Sequence, residues 1–432
     1  MSSELPNTYS QYDSKKSRRY ALAMLVAAYT FNFIDRQILT ILQEPIKAEL
    51  GLSDTALGLL TGFAFAMFYV SMGIPIARMA DKGVRRNIIS VSVGVWSFFT
   101  AISGMVQNFW QLLLVRIGVG VGEAGCSPPA YSMISDIFPP KERTTALSIY
   151  NFGVSGGILF GFLAGGWINE FFGWRVAFLA VGLPGILLAI VLRFALKEPQ
   201  RGRYDAAQGQ NQTESPSLSE VLKTLWGFGT FRHLMPAAAF YGMACYGLLN
   251  WVPSFFIRTH EIGTGTLGTW FALILGIGGA IGTFATGYLA DKLGHNNARW
   301  FCWITALAMG SSIPFIFFML LGNDAQLSLW LFIVPGAMLT AYVAPILSTV
   351  LGLVNTNMRA TSTAITLLIL NAVGLGLGPL IIGFLSDYLA ATMGSESLRY
   401  AMLYVIPAAM IWAIVHTLFA ARYINDELKT EA

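Results

Sequence analysis

The chain has 432 residues, of which 55% are hydrophobic and only 12% are charged, and its mean hydropathy is +0.60. This composition excludes a soluble globular protein and indicates an integral membrane protein. The net charge of +4 is small and is spread over many loops, so it does not indicate nucleic-acid binding.

Apolar stretches long enough to cross a bilayer recur along the whole chain. Residues 1–19 are polar, and no small-residue cleavage site follows a short apolar core, so we expect a retained first helix and no signal peptide. The predicted spans are residues 20–42, 56–80, 88–107, 110–135, 143–169, 174–196, 232–257, 265–290, 299–321, 327–352, 360–386 and 399–422. The sequence therefore predicts an all-α integral membrane protein with twelve transmembrane helices.

The basic residues predict the orientation. With the N-terminus in the cytoplasm, most of the 27 Lys and Arg residues fall on the cytoplasmic side, as the positive-inside rule requires. Those predicted on the outer side are Lys47, Arg175, Arg258 and Arg399. We expect both termini in the cytoplasm and a location in a bacterial inner membrane.

A long polar stretch near the middle of the chain divides the spans into two sets of six. The residues that follow it, 218–226, predict a short amphipathic helix on the membrane surface, capped by Ser217 or Ser219, although an ordinary polar loop fits equally well. The predicted regions are an N-terminal tail 1–19, a first half 20–196, a linker 197–231, a second half 232–422 and a tail 423–432.

An internal repeat relates the two halves. The sequence Ala-Asp-Lys stands at residues 80–82 after span two and at 290–292 after span eight. Arg143 before span five is matched by Arg359 before span eleven. Duplicated halves related by an axis along the membrane normal are the plan of one large class of transporters.

Span four carries two charges where a membrane disfavours them. Arg116 and Glu123 are seven residues apart, about two turns or roughly 10 Å, so they share a helix face with Gly120 between them. Because intramembrane charges usually face a cavity, this face is expected to line one. A structural ion pair between helices is the alternative. Pro128 and Pro129 are expected to bend the helix beyond this face.

Span one adds Asp35 and Arg36. At 1.5 Å per residue these two and Arg116 lie at similar depth, so the charges can meet if spans one and four are neighbours. Protonation of one acid would then release its arginine to bind a phosphate. The alternative is a permanently neutralised network of two acids and two arginines.

The twelve spans, the central linker and the duplicated acidic-basic turn resemble the major facilitator superfamily over nearly the whole chain. The resemblance implies the major facilitator fold, with two pseudo-symmetric six-helix halves. Two positions of the signature turn depart from the family pattern: Ala77 stands where a Gly is expected, and Gly83 comes one residue early.

We interpret the two turns as a conformational latch, with a role in topology alone as the alternative. Asp81 can accept hydrogen bonds at a helix N-terminus or pair with Arg143, while the basic side chains face the cytoplasm and anionic headgroups. The predicted latch residues are Asp81, Lys82, Arg85, Arg86, Arg143, Asp291, Lys292 and Arg359.

Residues 32–37, N-F-I-D-R-Q, and 116–125, R-I-G-V-G-V-G-E-A-G, resemble the spinster branch of the superfamily, whose members are associated with export of lysophospholipids and sphingosine phosphates. The resemblance implies that Asp35 and Glu123 are the proton-coupling carboxylates and that two arginines hold an anionic headgroup. The predicted substrate-binding residues are Arg36, Arg116, Tyr241, Asn250, Trp251 and Asn371.

The second half has no charged residue at predicted membrane depth, so its share of the cavity is expected to be apolar and to suit an acyl chain. The sequence thus predicts a monomeric, proton-coupled secondary active transporter of a lysolipid-type amphiphile, working by alternating access, with protons and membrane lipids as its other partners. A proton-coupled carrier of a small organic anion is the second hypothesis. A non-transporting receptor is the third, which the mid-membrane charges disfavour.

An enzyme is not expected. The sequence has no nucleotide-binding glycine loop and no H-E-x-x-H motif. Three scattered cysteines do not suggest a disulfide framework or metal site, and we expect no metal and no cofactor. The histidines are predicted to be isolated near span ends, at His233, His260, His295 and His416.

Overall fold

The computed structural model describes residues 12–204 and 216–429. Regular structure in these residues is helical throughout, which confirms the predicted all-α fold. The helices of the first half are α1 Lys15–Leu50, α2 Asp54–Lys82, α3 Arg85–Ser103, α4 Phe109–Ile137, α5 Pro140–Phe172 and α6 Trp174–Ala195. Those of the second half are α7 Gly229–His260, α8 Thr264–Gly294, α9 Arg299–Leu321, α10 Ala325–Gly352, α11 Arg359–Ile369 continued by Leu370–Leu375 and Gly376–Met393, and α12 Ser397–Lys429.

Helices extend beyond the predicted spans at both ends of the chain. α1 begins at Lys15 and continues to Leu50, and α12 continues to Lys429. Counting apolar residues detects only the part of a helix that lies in the hydrocarbon region, whereas the helix continues into the polar region. Parts of the predicted tails, residues 1–11 and 430–432, lie outside the described residues.

The outer surface of the bundle is apolar. By length and composition, eight stretches of the described residues can cross a membrane, and the last of them, Thr361–Leu428, covers most of α11 and α12. Large apolar side chains face outward along these helices; Phe194, Phe284 and Tyr388 are each more than 70% exposed. Such a surface suits contact with lipid and not with water.

The most extensive contacts between the halves are those of α2 with α11 and of α5 with α8. Small residues allow the close approach. A Cβ atom on Gly58 of α2 would lie less than 3 Å from the backbone of Pro379 and Leu380 in α11. Close packing through small residues is the usual way that membrane helices associate.

A glycine stripe on α5 positions α1. A Cβ atom on Gly161 would lie 2.9 Å from Gln37 Cβ and 3.2 Å from Ile34 Cα. Because this face of α1 is held against α5, the side chains of Asp35 and Arg36 lie on the faces toward α3 and α4.

Several breaks in regular geometry lie beside the cavity between the halves, among them one in α4 and one in α11. α4 is interrupted after Glu123, and its second segment begins at Ser127 with the proline pair in its first turn, where a missing N–H is tolerated. α11 contains a π-helical turn at Leu370–Leu375. Such turns often occur at functional sites.

The residues after the linker form a short helix, Leu218–Gly227, here called the linker helix. Ser217 is its N-cap, with Oγ accepting a hydrogen bond from the Glu220 N–H at 3.2 Å. Val221 and Leu225 are buried, and the linker helix packs on α7 and α11. Residues 205–215 of the predicted linker lie outside the described residues.

Candidate functional site

A cavity of about 310 Å³ lies between the two halves. Its first-half wall comes from α1, α2, α4 and α5 and contains Arg36 and Arg116. Among the described residues, the second-half wall contains no charged side chain and is largely apolar, as the sequence predicts; its apolar members are Cys245, Leu249, Leu339, Val343, Leu367, Leu370 and Leu375.

An ion pair between α1 and α4 lies at one side of this cavity. Arg36 Nε donates to Glu123 Oε2 at 2.5 Å, and the Glu123 side chain is fully buried. The Arg36 guanidinium is also 4.8–5.0 Å from the ring centres of Phe33, Phe65 and Tyr69. Cation–π contacts of a desolvated arginine are worth up to about 2 kcal/mol, so these rings help to hold the guanidinium in place.

Arg116, the other arginine of the cavity wall, is not neutralised by a direct contact. It is 3% exposed, and it makes no ion pair and no side-chain hydrogen bond with any described residue. Its guanidinium is 5.3 Å from the ring centre of Phe65. Two helical turns separate it from Glu123 on the same helix. Glu123 is therefore paired with Arg36 instead of Arg116.

Asp35 is buried deeper, behind the cavity wall. It is 1% exposed, and neither carboxylate oxygen has a hydrogen-bond partner among the described residues. Its polar neighbours are the Thr100 hydroxyl, Glu123 and Arg116. The four predicted charges thus come together in one region between α1, α3 and α4, with one direct ion pair among them.

Asn250 and Asn371 also line the cavity. Asn250 Nδ2 donates to the Tyr246 carbonyl at 2.8 Å, and the Tyr246 hydroxyl donates to Asn371 Oδ1 at 3.5 Å. The sequence reasoning missed Tyr246, although it lies one turn before Asn250 on the same helix face. Together with Thr340 and Tyr342, these groups give the second-half wall its hydrogen-bonding capacity.

The structure does not place Tyr241 or Trp251 in the cavity wall. The Tyr241 hydroxyl accepts a hydrogen bond from Thr417 at 3.3 Å, and Trp251 Nε1 donates to the Pro379 carbonyl at 2.8 Å. Both side chains are fully buried within the second half, because they lie on faces of α7 that pack against α12 and α11.

The start of α1 and the end of α12 lie toward one face of the bundle, here called the terminal face; the opposite one is the distal face. On the distal face, Arg258 of α7 joins the halves. It donates to both oxygens of Glu44, at 2.7 and 2.9 Å, and to both oxygens of Asp54, at 2.7 Å each. Lys47 also pairs with Asp54, at 2.5 Å.

Asp387 of α11 reinforces this closure. It accepts the backbone N–H groups of Asp54 and Thr55 at 3.0 and 2.7 Å, and so caps the first turn of α2 from the other half. Glu44 is eight residues from Arg36 on α1, roughly 12 Å along the helix. The distal face is therefore closed, and the cavity lies on the terminal side of this closure.

The sequence reasoning missed the distal closure, although one signal was present. All four basic residues predicted on the outer side form ion pairs with acidic residues; the pairs are Lys47–Asp54, Arg175–Glu49, Arg258–Glu44 and Arg399–Glu396. Because few basic residues are predicted on the outer side, those that occur there can be expected to form ion pairs.

On the terminal face, the ion pairs of the predicted latch residues form around Arg85 and not around Asp81. Arg85 is 1% exposed and donates to Asp136 at 2.5 Å and to Glu198 at 2.7 Å. Asp81 is exposed and makes no ion pair with a described residue, while Arg143 donates to the Ser135 carbonyl at 2.9 Å. The expected Asp81–Arg143 pair is absent from this conformation, because Asp81 lies on the outward face at the end of α2.

The remaining latch residues do not join the halves here. Arg86 contributes its backbone N–H to Glu198 at 2.9 Å. Lys82, Asp291, Lys292 and Arg359 are exposed at helix ends, and within the described ranges none of them makes an ion pair with the opposite half. Their role as a latch stays a prediction.

The prediction of isolated histidines is wrong for His233 and His416. Their Nδ1 atoms are 3.1 Å apart, because α7 and α12 pack along their lengths. Neither lines the cavity. No group of three or more potential metal ligands occurs in the part of the chain that the structure describes.

The model of the Major Facilitator Superfamily matches residues 25–379. An MFS-type efflux pump of Mycolicibacterium smegmatis is 32% identical over 413 residues, covering 94% of this chain and 93% of the relative. A probable L-galactonate transporter of Escherichia coli is 29% identical over 288 residues, covering 65% and 63%. The crystal structure of a bacterial homolog to the human lysosomal transporter Spinster, inward-facing and unoccupied, is 31% identical, with a TM-score of 0.81 and coverage of 96% of this chain and 98% of that chain.

Proposed function

The chain belongs to the Major Facilitator Superfamily and has its fold, and from that premise we propose that this transporter carries a lysolipid-type amphiphile, a lysophospholipid or a sphingosine phosphate, by alternating access coupled to protons. Its similarity to a bacterial spinster homolog supports this branch of the superfamily. The observation that carries the substrate assignment is Arg116, a buried cation in the cavity wall with no anion in contact.

An anionic headgroup fits Arg116. A buried charge without a partner costs several kcal/mol, and a bound phosphate would remove that cost. The guanidinium is planar and offers parallel N–H donors, which suit two phosphate oxygens at once. Arg36 lies in the same wall but forms an ion pair with Glu123 in this conformation.

An acyl chain fits the opposite wall. The side chains from α7, α10 and α11 are mainly aliphatic there. Each buried methylene group contributes about 0.8 kcal/mol, so a chain of ten would add about 8 kcal/mol before the cost of ordering it. A polar headgroup at the first half and a chain along the second half would place an amphiphile across the cavity.

Proton coupling is assigned to Glu123 and Asp35. Protonation of Glu123 would remove the anion that occupies Arg36, so that both arginines could contact a phosphate. Loss of the proton would restore the ion pair and weaken substrate binding. The proposal therefore links the protonation state of one carboxylate to the number of arginines available to the substrate.

A small organic anion is the second candidate. The similarity to a probable L-galactonate transporter favours it, and Asn250, Asn371 and Tyr246 could bind the hydroxyl groups of a sugar acid. Such a substrate would use the arginines but would leave the aliphatic wall without a partner.

Binding to the purified protein in nanodiscs distinguishes the candidates. The probes are oleoyl lysophosphatidic acid, glycerol 3-phosphate, which has the same headgroup without the chain, and L-galactonate. We expect oleoyl lysophosphatidic acid to bind at least 100-fold more tightly than the other two. Saturable binding of L-galactonate without binding of the lysolipid would overturn the proposal and support the second candidate.

A further inference from the structure

The amino end of α8 is capped by the opposite half. Its N-cap residue is Gly263, and among the described residues of its own half no side chain accepts the first free N–H groups of the helix. Glu170, in the last turn of α5, accepts the Gly265 N–H at 2.7 Å and lies 3.5 Å from the Thr264 hydroxyl. An exposed carboxylate of the first half therefore caps a helix of the second half.

The absence of a side chain at Gly263 lets this carboxylate approach. A Cβ atom there would lie 2.8 Å from Glu170 Oε2 and 3.0 Å from Oε1, closer than Cβ atoms normally come to another heavy atom. Beside Glu170, Asn169 Nδ2 donates a hydrogen bond to the Thr264 hydroxyl at 3.0 Å. The end of α5 is thus fitted to the start of α8.

The contact is the counterpart of the cap that Asp387 places on α2. The internal repeat aligns Asp81 of α2 with Asp291 of α8. The backbone N–H groups that the two carboxylates accept, at 2.7 Å each, belong to Thr55 and Gly265. Thr55 lies 26 residues before Asp81, and Gly265 lies 26 residues before Asp291, so the two capped N–H groups occupy equivalent positions in the two halves.

The two carboxylates are related in the same way. The repeat aligns Arg143 at the start of α5 with Arg359 at the start of α11. Glu170 follows Arg143 by 27 residues, and Asp387 follows Arg359 by 28. Each half therefore extends an acid from the end of its fifth helix to the start of the second helix of the other half.

We propose that the distal face is closed by these two pseudo-symmetric caps, Glu170 on α8 and Asp387 on α2, here called the distal caps, and that both must release their helices when the face opens. The inference rests on the alternating access of the proposed function, but not on its substrate or on protons.

The two distal caps hold contacts of different composition. The ion pairs between the halves in the described part of the chain are those of Arg258, and they lie at the start of α2 and not at α8. The attraction between the Glu170 carboxylate and the positive end of the α8 dipole is therefore the charged interaction that holds α5 on α8. Opening would separate them and leave α8 without a cap.

The test combines Glu170→Ala and Asp387→Ala, singly and together, in the full chain in nanodiscs. Spin labels on Met105 and Asn323, exposed on the distal face in different halves, report the ratio of distal-open to distal-closed molecules by pulsed electron paramagnetic resonance. We expect each single variant to raise this ratio about tenfold, as the loss of one strong helix cap implies. The two caps share no partner, so the double variant should raise it about 100-fold.

Ser53→Ala is the matched control. Ser53 Oγ accepts the Ala56 N–H at 3.1 Å and caps the same end of α2 as Asp387, but from within the first half. Its loss should leave the ratio at the wild-type value. If Glu170→Ala leaves the ratio unchanged, or if Ser53→Ala raises it as much, the distal caps are overturned.

Comparison with Arg258→Gln separates this inference from the proposed function. If Arg258→Gln opens the distal face and Glu170→Ala does not, the distal caps are overturned and alternating access stands. If none of the variants opens it, alternating access through the distal face is overturned together with the caps.

A second measurement does not depend on removing either cap. Cysteines at Asn169 and Thr264, joined by a short bifunctional thiol reagent, would tie α5 to α8, and the native cysteines are buried. Uptake of oleoyl lysophosphatidic acid into proteoliposomes should be lost on crosslinking and recover when reduction cleaves the reagent. Each single-cysteine variant, treated in the same way, should keep its untreated rate.

Wild-type uptake by the crosslinked protein would overturn the proposal, because the contact between α5 and α8 would then stay closed throughout transport. If the wild-type protein takes up no oleoyl lysophosphatidic acid, the proposed substrate is overturned instead, and the label distances still decide the distal caps.

Discussion

Replacing Arg258 by Gln should open the distal face of the transporter. Arg258 belongs to the second half, and its two carboxylate partners, Glu44 and Asp54, belong to the first. The side chains of these three residues are at most 15% exposed, so solvent screens their interaction only weakly. Opening of the distal face must break all four charge-assisted hydrogen bonds of Arg258.

The structure sets the size of the effect. Removing one partner of a buried ion pair costs about 3–5 kcal/mol. Asp54 retains Lys47 at 2.5 Å and the Ser386 hydroxyl at 2.6 Å, so we expect a value near the lower limit, about 3 kcal/mol. This corresponds to roughly a 100-fold shift toward the distal-open state, enough to raise a state populated at about 1% to about one half.

Spin labels on the distal face measure this shift. Met105, in the loop after α3, and Asn323, in the loop after α9, are exposed and belong to different halves. The native cysteines Cys126, Cys245 and Cys302 are buried and should not compete for the label. Pulsed electron paramagnetic resonance of Arg258→Gln should show a new, longer distance between the labels.

Arg399→Gln is the control, because Arg399 pairs with Glu396 within the second half, at 2.8 Å, and does not bridge the halves. Its distance distribution should match the wild type. The reasoning is refuted if Arg258→Gln also gives the wild-type distribution, since the cluster would then contribute nothing to the closure.

Three further predictions concern the cavity and the terminal face. Glu123→Gln should still bind oleoyl lysophosphatidic acid but lose the dependence of uptake on a pH difference; wild-type stimulation would favour a structural role for its ion pair with Arg36. Arg116→Lys should weaken lysolipid binding about tenfold, roughly 1.4 kcal/mol, because a point charge replaces a bidentate fork; equal affinity in a titration would place the phosphate elsewhere. Asp81→Asn should favour opening of the terminal face, measured between labels on its loops, if Asp81 acts as a latch; identical distance distributions would leave it a role in topology.

The meeting of the charges in one region was predictable from the sequence. The rise per residue of a helix is constant, so counting from the ends of predicted spans one and four, at residues 42 and 110, predicts a similar depth for Asp35, Arg36 and Arg116. The cost of burying charge then requires that they face an interior or a cavity. The apolar stretches and the internal repeat predict the two six-helix halves, since both can be read from the sequence without knowing how the helices pack.

The pairing of these charges was decided by tertiary structure. Which acid contacts which arginine depends on how α1 is rotated against α4, and that rotation is set by the packing of α1 on the glycine stripe of α5. Likewise, Tyr241 and Trp251 lie on a helix that is buried on almost all sides, so hydrophobic periodicity could not show which face borders the cavity.

The distal closure depends most completely on the tertiary structure. Asp54 and Asp387 are 333 residues apart in sequence, and Arg258 lies on a third helix, so no local pattern connects them. Local sequence sets where each helix begins, which face is apolar and how deep a charge lies. Contact between the two halves, and with it the conformation in which the distal face is closed, arises only when both are folded and packed together.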